Sequence, residues 1–265
     1  GPTAHGLLIN VPSWASYSRR ARQPMVRIEN PVQVSMWASQ SGEDNYTYTT
    51  FFDRMVAGTY LEIGGLDGIF FSNTLSLNKY MGWRGVLVEA SPESYAKLAR
   101  NRPDDFCINA AVCKEPATVH YLVHGGGHPA VNGIYEFMPE GFRKQWFPNV
   151  TLESVNALPP ITCQPLMSLL AKTGITTFDF FSLDVEGAEL LVLQSIDFKV
   201  LHFSVIVVET QYSSTDTAAA INEILTSNGY INHGPDPGDK ERRNTWYVHR
   251  RYQAEMKMRG HALRS

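Results

Sequence analysis

The sequence has no large excess of charge, few cysteines and no long hydrophobic run. Its 23 basic and 26 acidic residues give a formal net charge of -3, which disfavours a nucleic-acid binder because such proteins need a cationic surface. No apolar run reaches the roughly 20 residues that a membrane-spanning helix needs. Cys107, Cys113 and Cys163 lack the paired spacing of a zinc site. They are either buried thiols or one disulfide plus an odd thiol.

The N-terminus lacks a signal-peptide pattern. It opens with Gly1-Pro2, which resembles a protease-cleavage scar, so one expectation is that a native leader or membrane anchor was cut away. The sequons at Asn45 and Asn149 are compatible with a secretory history.

The sequence does contain apolar runs that alternate with helical patterns. Residues 1–38 carry four prolines and no clear period, which predicts an N-terminal extension. The organised domain is predicted over 39–250, and residues 251–265 are predicted to be a C-terminal tail. Within the domain, residues 124–160 are too long for an ordinary connection, so this segment is interpreted as a substrate-binding or lid insertion.

The strand-like runs indicate a doubly wound α/β fold of Rossmann-like topology. The segments TYLEI, GVLVEA, FDFFSLD and FSVIVVE are almost continuously apolar, which is typical of parallel strands covered on both faces. The last two runs, GYINHG and NTWYVHR, are joined by the turn-rich PDPGD. They predict an antiparallel hairpin at the C-terminal edge of a mainly parallel sheet.

A glycine-rich loop follows the first of these strands, in TYLEIGGLDG at residues 59–68. A dinucleotide fingerprint fails here because Leu66 and Ile69 occupy positions that require glycine. The acids Glu62 and Asp67 flank the loop and would repel a diphosphate. The loop therefore favours a cationic ligand, and S-adenosylmethionine, with a sulfonium, an ammonium and no phosphate, fits best. Glu89, at the end of GVLVE, is placed to accept both ribose hydroxyls of such a cofactor.

Several motifs together resemble the FkbM-type methyltransferases, a branch of the class I S-adenosylmethionine-dependent fold. They are YLEIGGLDG, SNT at 72–74, VEASP at 88–92, INAAV at 108–112 and FFSLDVEGAELLVL at 180–193, with SQSGEDNY at 39–46 upstream. The resemblance covers about residues 39–212 and implies a seven-stranded, mainly parallel sheet. The cofactor-binding residues that we predict are Gln40, Asp44, Glu62, Gly64, Asp67, Asn73, Glu89, Ala90, Asn109, Ala110, Ala111 and Asp184.

Catalytic residues are predicted at the ends of later strands and in the insertion. Asp184 and Glu186 follow FDFFSL, and Glu209 ends the next strand. One acid can act as general base toward a hydroxyl, or Asp184 and Glu209 can hold Mg²⁺ or Mn²⁺ that acidifies it. His128 is a further base candidate. The insertion aromatics Tyr135, Phe137, Phe142, Trp146 and Phe147 either present flat faces to a sugar ring or pack the lid onto the domain.

The leading hypothesis is an O-methyltransferase that uses S-adenosylmethionine to methylate a hydroxyl of a carbohydrate or glycan. The resemblance, not the composition, implies the sugar acceptor. The alternatives are methylation of a non-sugar small molecule and a non-catalytic binding module on the same fold. By analogy, a eukaryotic glycan-modifying member would work in the Golgi lumen.

Overall fold

The computed structural model describes residues 7–13, 25–127, 131–211 and 213–258. The strands are Leu8–Asn10 (β1), Val26–Arg27 (β2), Met55–Val56 (β3), Thr59–Ile63 (β4), Arg84–Glu89 (β5), Phe106–Asn109 (β6), Ala111–Val112 (β7), Ala117–Leu122 (β8), Gly133–Ile134 (β9), Pro160–Gln164 (β10), Thr177–Leu183 (β11), His202–Glu209 (β12), Tyr230–Gly234 (β13) and Asn244–His249 (β14). The helices are Glu43–Phe51 (α1), Leu75–Met81 (α2), Pro92–Asn101 (α3), Glu140–Trp146 (α4), Leu152–Asn156 (α5), Leu166–Leu170 (α6), Glu189–Gln194 (α7), Thr215–Ser227 (α8) and Arg250–Met258 (α9).

The main sheet is mixed, and its described part has eight strands in the order β1-β6-β5-β4-β11-β12-β14-β13. The five strands from β6 to β12 are parallel to one another, whereas β1 and β14 run antiparallel to their neighbours. The α/β prediction is therefore confirmed, and the seven-stranded count is wrong. The chain order reverses between β4 and β11, which is where a doubly wound sheet opens its ligand crevice.

The predicted C-terminal hairpin forms, but its second strand is not at the edge. β14 inserts between β12 and β13, and β13 is the edge strand. Trp246, Tyr247 and Val248 of β14 are each at most 2% exposed. Because successive side chains of a strand point to opposite faces, both faces of β14 are covered.

The predicted N-terminal extension and C-terminal tail both contribute to the packing. β1 pairs with β6 through Ile9 and Ile108, and Ile9 packs against the main core. Tyr252 and Met256 of α9 are buried in the core on the other face of the sheet. The domain limits stay a prediction, but these contacts show that the flanking segments cover an edge and a face of the sheet.

Local signals place the helix that follows β5. Ser91 accepts a hydrogen bond from the backbone N–H of Ser94, and Pro92 occupies the first helical position. This is the arrangement that the Ser-Pro pair predicts, because the serine satisfies an unpaired N–H and proline has none to satisfy. The cap fixes the turn that carries Glu89.

A second, smaller sheet holds the insertion beside the main one. In the described residues its strand order is β7-β10-β8-β9. Cys113 and Cys163 form a disulfide here, with Cα atoms 5.8 Å apart, and Cys107 is a free buried thiol. The segment 124–160 is less irregular than expected, because it contains β9, α4 and α5.

The insertion aromatics build a core. Phe142 and Phe147 are buried in a cluster with Leu122, Met138 and Val155, and Tyr135 and Trp146 pack against it. Phe137 packs against the cluster around the disulfide. These rings therefore have a packing role, which is the second of the two alternatives above. The insertion needs an apolar interior of its own to hold its short helices.

Among the residues described, no helix combines the length and the hydropathy needed to span a bilayer.

Candidate active site

A cleft opens at the carboxyl ends of the parallel strands. It lies beyond β4, β5 and β6 on one side and beyond β11 and β12 on the other, where the sheet topology predicts a ligand site. The predicted site residues that line it are Gln40, Glu62, Gly64, Asn73, Glu89, Ala90, Ala110, Ala111, Asp184, Glu186 and Glu209. The sequence thus identified most of one cleft from segments that lie far apart in the chain.

Gly64 brings the loops after β4 and β11 into contact. Its φ is +91°, and a Cβ atom there would lie 1.8 Å from the backbone oxygen of Asp184. Its backbone N–H donates to the Val88 carbonyl at 3.0 Å. A side chain at this position is excluded, so the backbone itself forms the floor of the cleft.

Glu62 is an anchor as well as a lining residue. It is 3% exposed and accepts hydrogen bonds from the Asn73 backbone N–H (2.7 Å) and from the Ser72 hydroxyl (3.0 Å). Burial raises the pKa of Glu62, although the nearby Arg102 guanidinium opposes the shift. Glu62 therefore holds the start of α2 against the glycine loop.

Glu89 joins the glycine loop to the cap of α3. Its Oε2 accepts from the Leu66 backbone N–H (2.9 Å) and its Oε1 from that of Ser91 (2.7 Å). Burial raises the pKa of Glu89 to about 7, and the backbone hydrogen bonds oppose this shift. A carboxylate has about four acceptor sites on its two oxygens, so Glu89 keeps acceptor capacity for a ligand hydroxyl such as that of a ribose.

Three predicted cofactor residues stand behind the cleft instead of lining it. Asp44 is fully buried and accepts hydrogen bonds from the Ser39 and Ser76 hydroxyls, both at 2.6 Å. Asp67 accepts from the backbone of Ile69 and Phe70. Asn109 donates to the carbonyls of Glu89 and Ala90. The polar atoms of these three residues hold loops in place. A motif match does not distinguish this role from direct contact with a ligand.

A cluster of three carboxylates forms the other end of the cleft. One oxygen from each of Asp184, Glu186 and Glu209 lies within 4.8 Å of the others. Burial and the charge of Glu189 raise the pKa of Asp184 to about 7, while a hydrogen bond with Glu209 opposes this. Burial and the charge of Asp184 raise the pKa of Glu186 to about 10, and burial with the same neighbours raises that of Glu209.

This cluster is short of positive partners. Glu186 has φ +54°, and its buried Oε2 has no hydrogen-bond partner. At neutral pH the ligand-free cluster shares protons, since carboxylates this close cannot all ionise. It can therefore accept a proton from a substrate, or exchange its protons for a cation.

Glu189 has a structural role next to this cluster. Its Oε1 accepts from the backbone N–H groups of Val185 and Gly187 at the start of α7. This is the expected position of an acid at a helix N-terminus. His128 lies outside the described residues, so its predicted role stays a prediction.

The second sheet supplies a wall of the cleft, for which the sequence indicated the insertion 124–160 but not Tyr121. Tyr121 of β8 lines it, as do Asn132, Gly133 and Ile134 around β9. Burial and the charges of Glu89 and Glu186 raise the pKa of Tyr121. The period of β8 places Tyr121 and Val119 on one face, but only the docking of the two sheets turns that face toward the cleft.

The chemistry of the lining fits S-adenosylmethionine better than a phosphate-bearing cofactor. No lysine, arginine or histidine is among the described residues that line the cleft, whereas Glu43, Glu62, Glu89, Asp184, Glu186 and Glu209 all do. An acidic, partly dry site stabilises a sulfonium and an ammonium and repels a diphosphate. Glu89 lies at one end of the cleft, where the predicted ribose position is, and the carboxylate cluster lies at the other end.

Comparisons with solved structures give distant likenesses. The precorrin-6y C5,15-methyltransferase of Geobacter metallireducens is 13% identical, over 82% of this chain and 93% of that one, with a TM-score of 0.38. Aeropyrum pernix fibrillarin with bound S-adenosylmethionine is 14% identical over 73% and 66%, with a TM-score of 0.36. The N-terminal domain of EvdMO1, solved in the presence of SAH and D-fucose, is 11% identical over 92% and 82%, with a TM-score of 0.33. Likenesses this distant carry no conclusion about activity.

No curated protein matches the sequence. The sequence-family model of the methyltransferase FkbM domain matches residues 62–231 of this chain. These residues include the glycine loop, Glu89 and the whole carboxylate cluster. This match covers more than half of the chain and supports S-adenosylmethionine as the cofactor. The chain therefore belongs to the FkbM methyltransferase family.

Proposed function

We propose that the protein is an S-adenosylmethionine-dependent O-methyltransferase whose acceptor is a hydroxyl of a carbohydrate or glycan. The observation that carries the proposal is the carboxylate cluster of Asp184, Glu186 and Glu209, in the same cleft as Glu89. A neutral hydroxyl is a poor nucleophile, so a proton acceptor beside it matters more than for an amine or a thiol. Clustered carboxylates also accept hydrogen bonds from neighbouring hydroxyls of a polyol.

The cofactor, when bound, supplies an electrophilic methyl group on sulfur. The carboxylate cluster would accept the proton that the acceptor hydroxyl loses on methylation. Asp184 is the first candidate to receive it, because a pKa of about 7 leaves it partly ionised at neutral pH. Glu186, with a pKa of about 10, and Glu209, whose pKa is also raised by burial, share protons with it. Alignment of the two reactants supplies the rest of the rate.

The same three residues suit a divalent cation. Carboxylate oxygens are ligands that Mg²⁺ and Mn²⁺ accept, and a cation here would displace the shared protons and acidify a bound hydroxyl. Glu186, whose Oε2 has no partner, extends the predicted pair of Asp184 and Glu209 to three ligands. The chain would then use Asp184 as a ligand and not as a base.

Transfer of labelled methyl from S-adenosylmethionine to a panel of glycosides and glycans tests the proposal. Label on a sugar is expected. Loss of the signal with chelator, and its return with Mg²⁺ or Mn²⁺, would assign the cluster to a cation. Asp184→Asn is expected to lose turnover at least about a hundredfold when assayed at saturating S-adenosylmethionine. Wild-type turnover in this variant would contradict its catalytic role.

Two outcomes would support the other hypotheses. Cofactor binding with label only on non-sugar hydroxyls would make the protein a small-molecule methyltransferase. Failure to bind S-adenosylmethionine or its demethylated product would favour a non-catalytic module. RNA is not the acceptor that we propose, and a gel shift with RNA that weakens steeply with salt would count against us.

The compartment that we propose is an oxidising one, with the Golgi lumen as the specific case. The Cys113–Cys163 disulfide supports this, because such bonds persist mainly in secreted and lumenal proteins. Both sequon asparagines, Asn45 and Asn149, are exposed. Glycosidase-sensitive glycosylation and Golgi localisation of the expressed protein would be the expected results, and a cytosolic protein with reduced cysteines would contradict the proposal.

A further inference from the structure

An aromatic pair lies at the rim of the cleft, outside every motif used above. Phe70 is 44% exposed, and Phe71 lines the cleft. Their ring centroids are 3.7 Å apart, so the two rings cover one another on one side. The rest of Phe70 faces solvent.

The backbone holds this pair in a strained and rigid turn. Phe71 has φ +59°, which is unfavourable for a bulky side chain and tends to occur at functional sites. The Asp67 carboxylate accepts the backbone N–H of Phe70 at 2.8 Å. From behind, Asn101 donates to the Asp67 carbonyl (2.7 Å) and Arg102 to that of Gly68 (3.2 Å). These hydrogen bonds hold the backbone of the turn that carries both rings.

Contacts connect this turn with the carboxylate end of the cleft. Phe71 bridges to Ser39, and the next residue, Gln40, lines the cleft. Glu43, which also lines it, accepts from the Asn244 side chain at 2.9 Å. Asn244 in turn pairs with Glu209 across β12 and β14. Phe71, in ring contact with Phe70, thus lines the same cleft as the proton-accepting cluster.

We propose that Phe70, whose ring lies tilted against that of Phe71, is the platform on which the pyranose ring of the acceptor lies. The inference rests on the proposed carbohydrate function and names the residues that select for it. A sugar presents an apolar C–H face and a rim of hydroxyls, which matches an aromatic face next to carboxylate acceptors. Of the insertion aromatics, Phe142 and Phe147 are not available for this role, because they are 3% and 7% exposed.

The test is methyl-transfer kinetics on the glycoside that the wild type labels best, with calorimetric titration of S-adenosylmethionine in parallel. Phe70→Ala is expected to raise the KM for the glycoside about tenfold and to leave cofactor affinity unchanged. Phe70→Tyr, which keeps the aromatic face, should have a KM for the glycoside close to that of the wild type. Phe71→Gly removes the second ring while suiting the positive φ, and it should act like Phe70→Ala.

Val200→Ala is the matched control. Val200 is 42% exposed and precedes β12, at the opposite end of that strand from the cleft, so its truncation should leave the KM for the glycoside unchanged. Equal KM values for Phe70→Ala, Phe71→Gly and the wild type would overturn the platform while leaving the proposed function intact. A loss of cofactor affinity that accounts for the KM effect would also overturn it. No label from the wild type on any sugar would overturn the carbohydrate function and the platform together.

Discussion

The Cys113–Cys163 disulfide is expected to contribute strongly to the stability of the cleft. The two residues are 50 positions apart, and the loop-closure entropy of a link this long corresponds to about 4 kcal/mol of unfolding free energy. For a chain of this size the loss of that free energy lowers Tm by roughly 10 °C. The link ties β7 to β10, and Ala111 and Val112 of β7 line the cleft. Its removal should therefore also weaken cofactor binding.

Urea unfolding of wild type and of the Cys113→Ala, Cys163→Ala double variant measures this difference. Cys107→Ala is the control, because it removes one buried sulfur without breaking a link. The double variant should lose about 4 kcal/mol beyond twice the loss in the control, with its m-value checked for a change in the unfolded state. A loss no larger than that of the control, or an unchanged free energy in wild type treated with reductant, would refute the reasoning.

Three further predictions concern the buried charges. Burial and the charge of Asp184 raise the pKa of Glu186 to about 10. The protonated carboxyl group therefore stabilises the folded state fully below pH 4.5, and this stabilisation is lost as pH rises through 10. The stability of Glu186→Gln relative to wild type should therefore grow between pH 7 and 10 in urea titrations, and a constant difference would contradict this. Arg102→Met should cost about 3–5 kcal/mol in the same assay, because it leaves the buried Asp105 carboxylate, 3.0 Å away, unpaired. Adding Asp105→Asn should recover part of the loss, and a neutral Arg102→Met would argue against the buried pair. Glu89→Gln should weaken S-adenosylmethionine about tenfold, and wild-type affinity should fall below pH 7 as Glu89 is protonated. Calorimetry at pH 6 and 8 checks this, and the pH dependence should be smaller in the variant than in the wild type, because Asp184 still titrates near pH 7 in the same cleft.

Signals that act within one segment predicted the parts of the fold that depend on local chemistry. The Ser91-Pro92 pair predicted the start of α3 because cap and proline preferences act within one turn. The continuous apolar runs predicted the parallel strands because burial on both faces leaves no polar alternation. Strand ends then indicated Glu89, Asp184 and Glu209, since parallel strands end on the same side of a sheet.

Long-range packing decided the features of the fold and of the cleft that local sequence signals did not predict. The insertion of β14 between β12 and β13 depends on which faces are already covered. Asp44 and Asp67 lie in motifs of the family resemblance, as Glu62 does, yet both lie behind the cleft. Asp44 is held by a hydrogen bond from the distant Ser76, and Asp67 by one from its own turn. Arg102, buried beneath the glycine loop, carried no signal in the sequence because its partners only meet on folding.

The sequence by itself determined the α/β class, the acidic glycine loop and the family, since these depend on residue types and short spacings. Only the tertiary structure decided the carboxylate cluster of Asp184, Glu186 and Glu209, the Cys113–Cys163 pairing, the Tyr121 wall and the exposed Phe70. The physical reason is that each of these depends on distances between segments far apart in the chain. Those distances are set by how two sheets and a loop pack together, and not by any local preference.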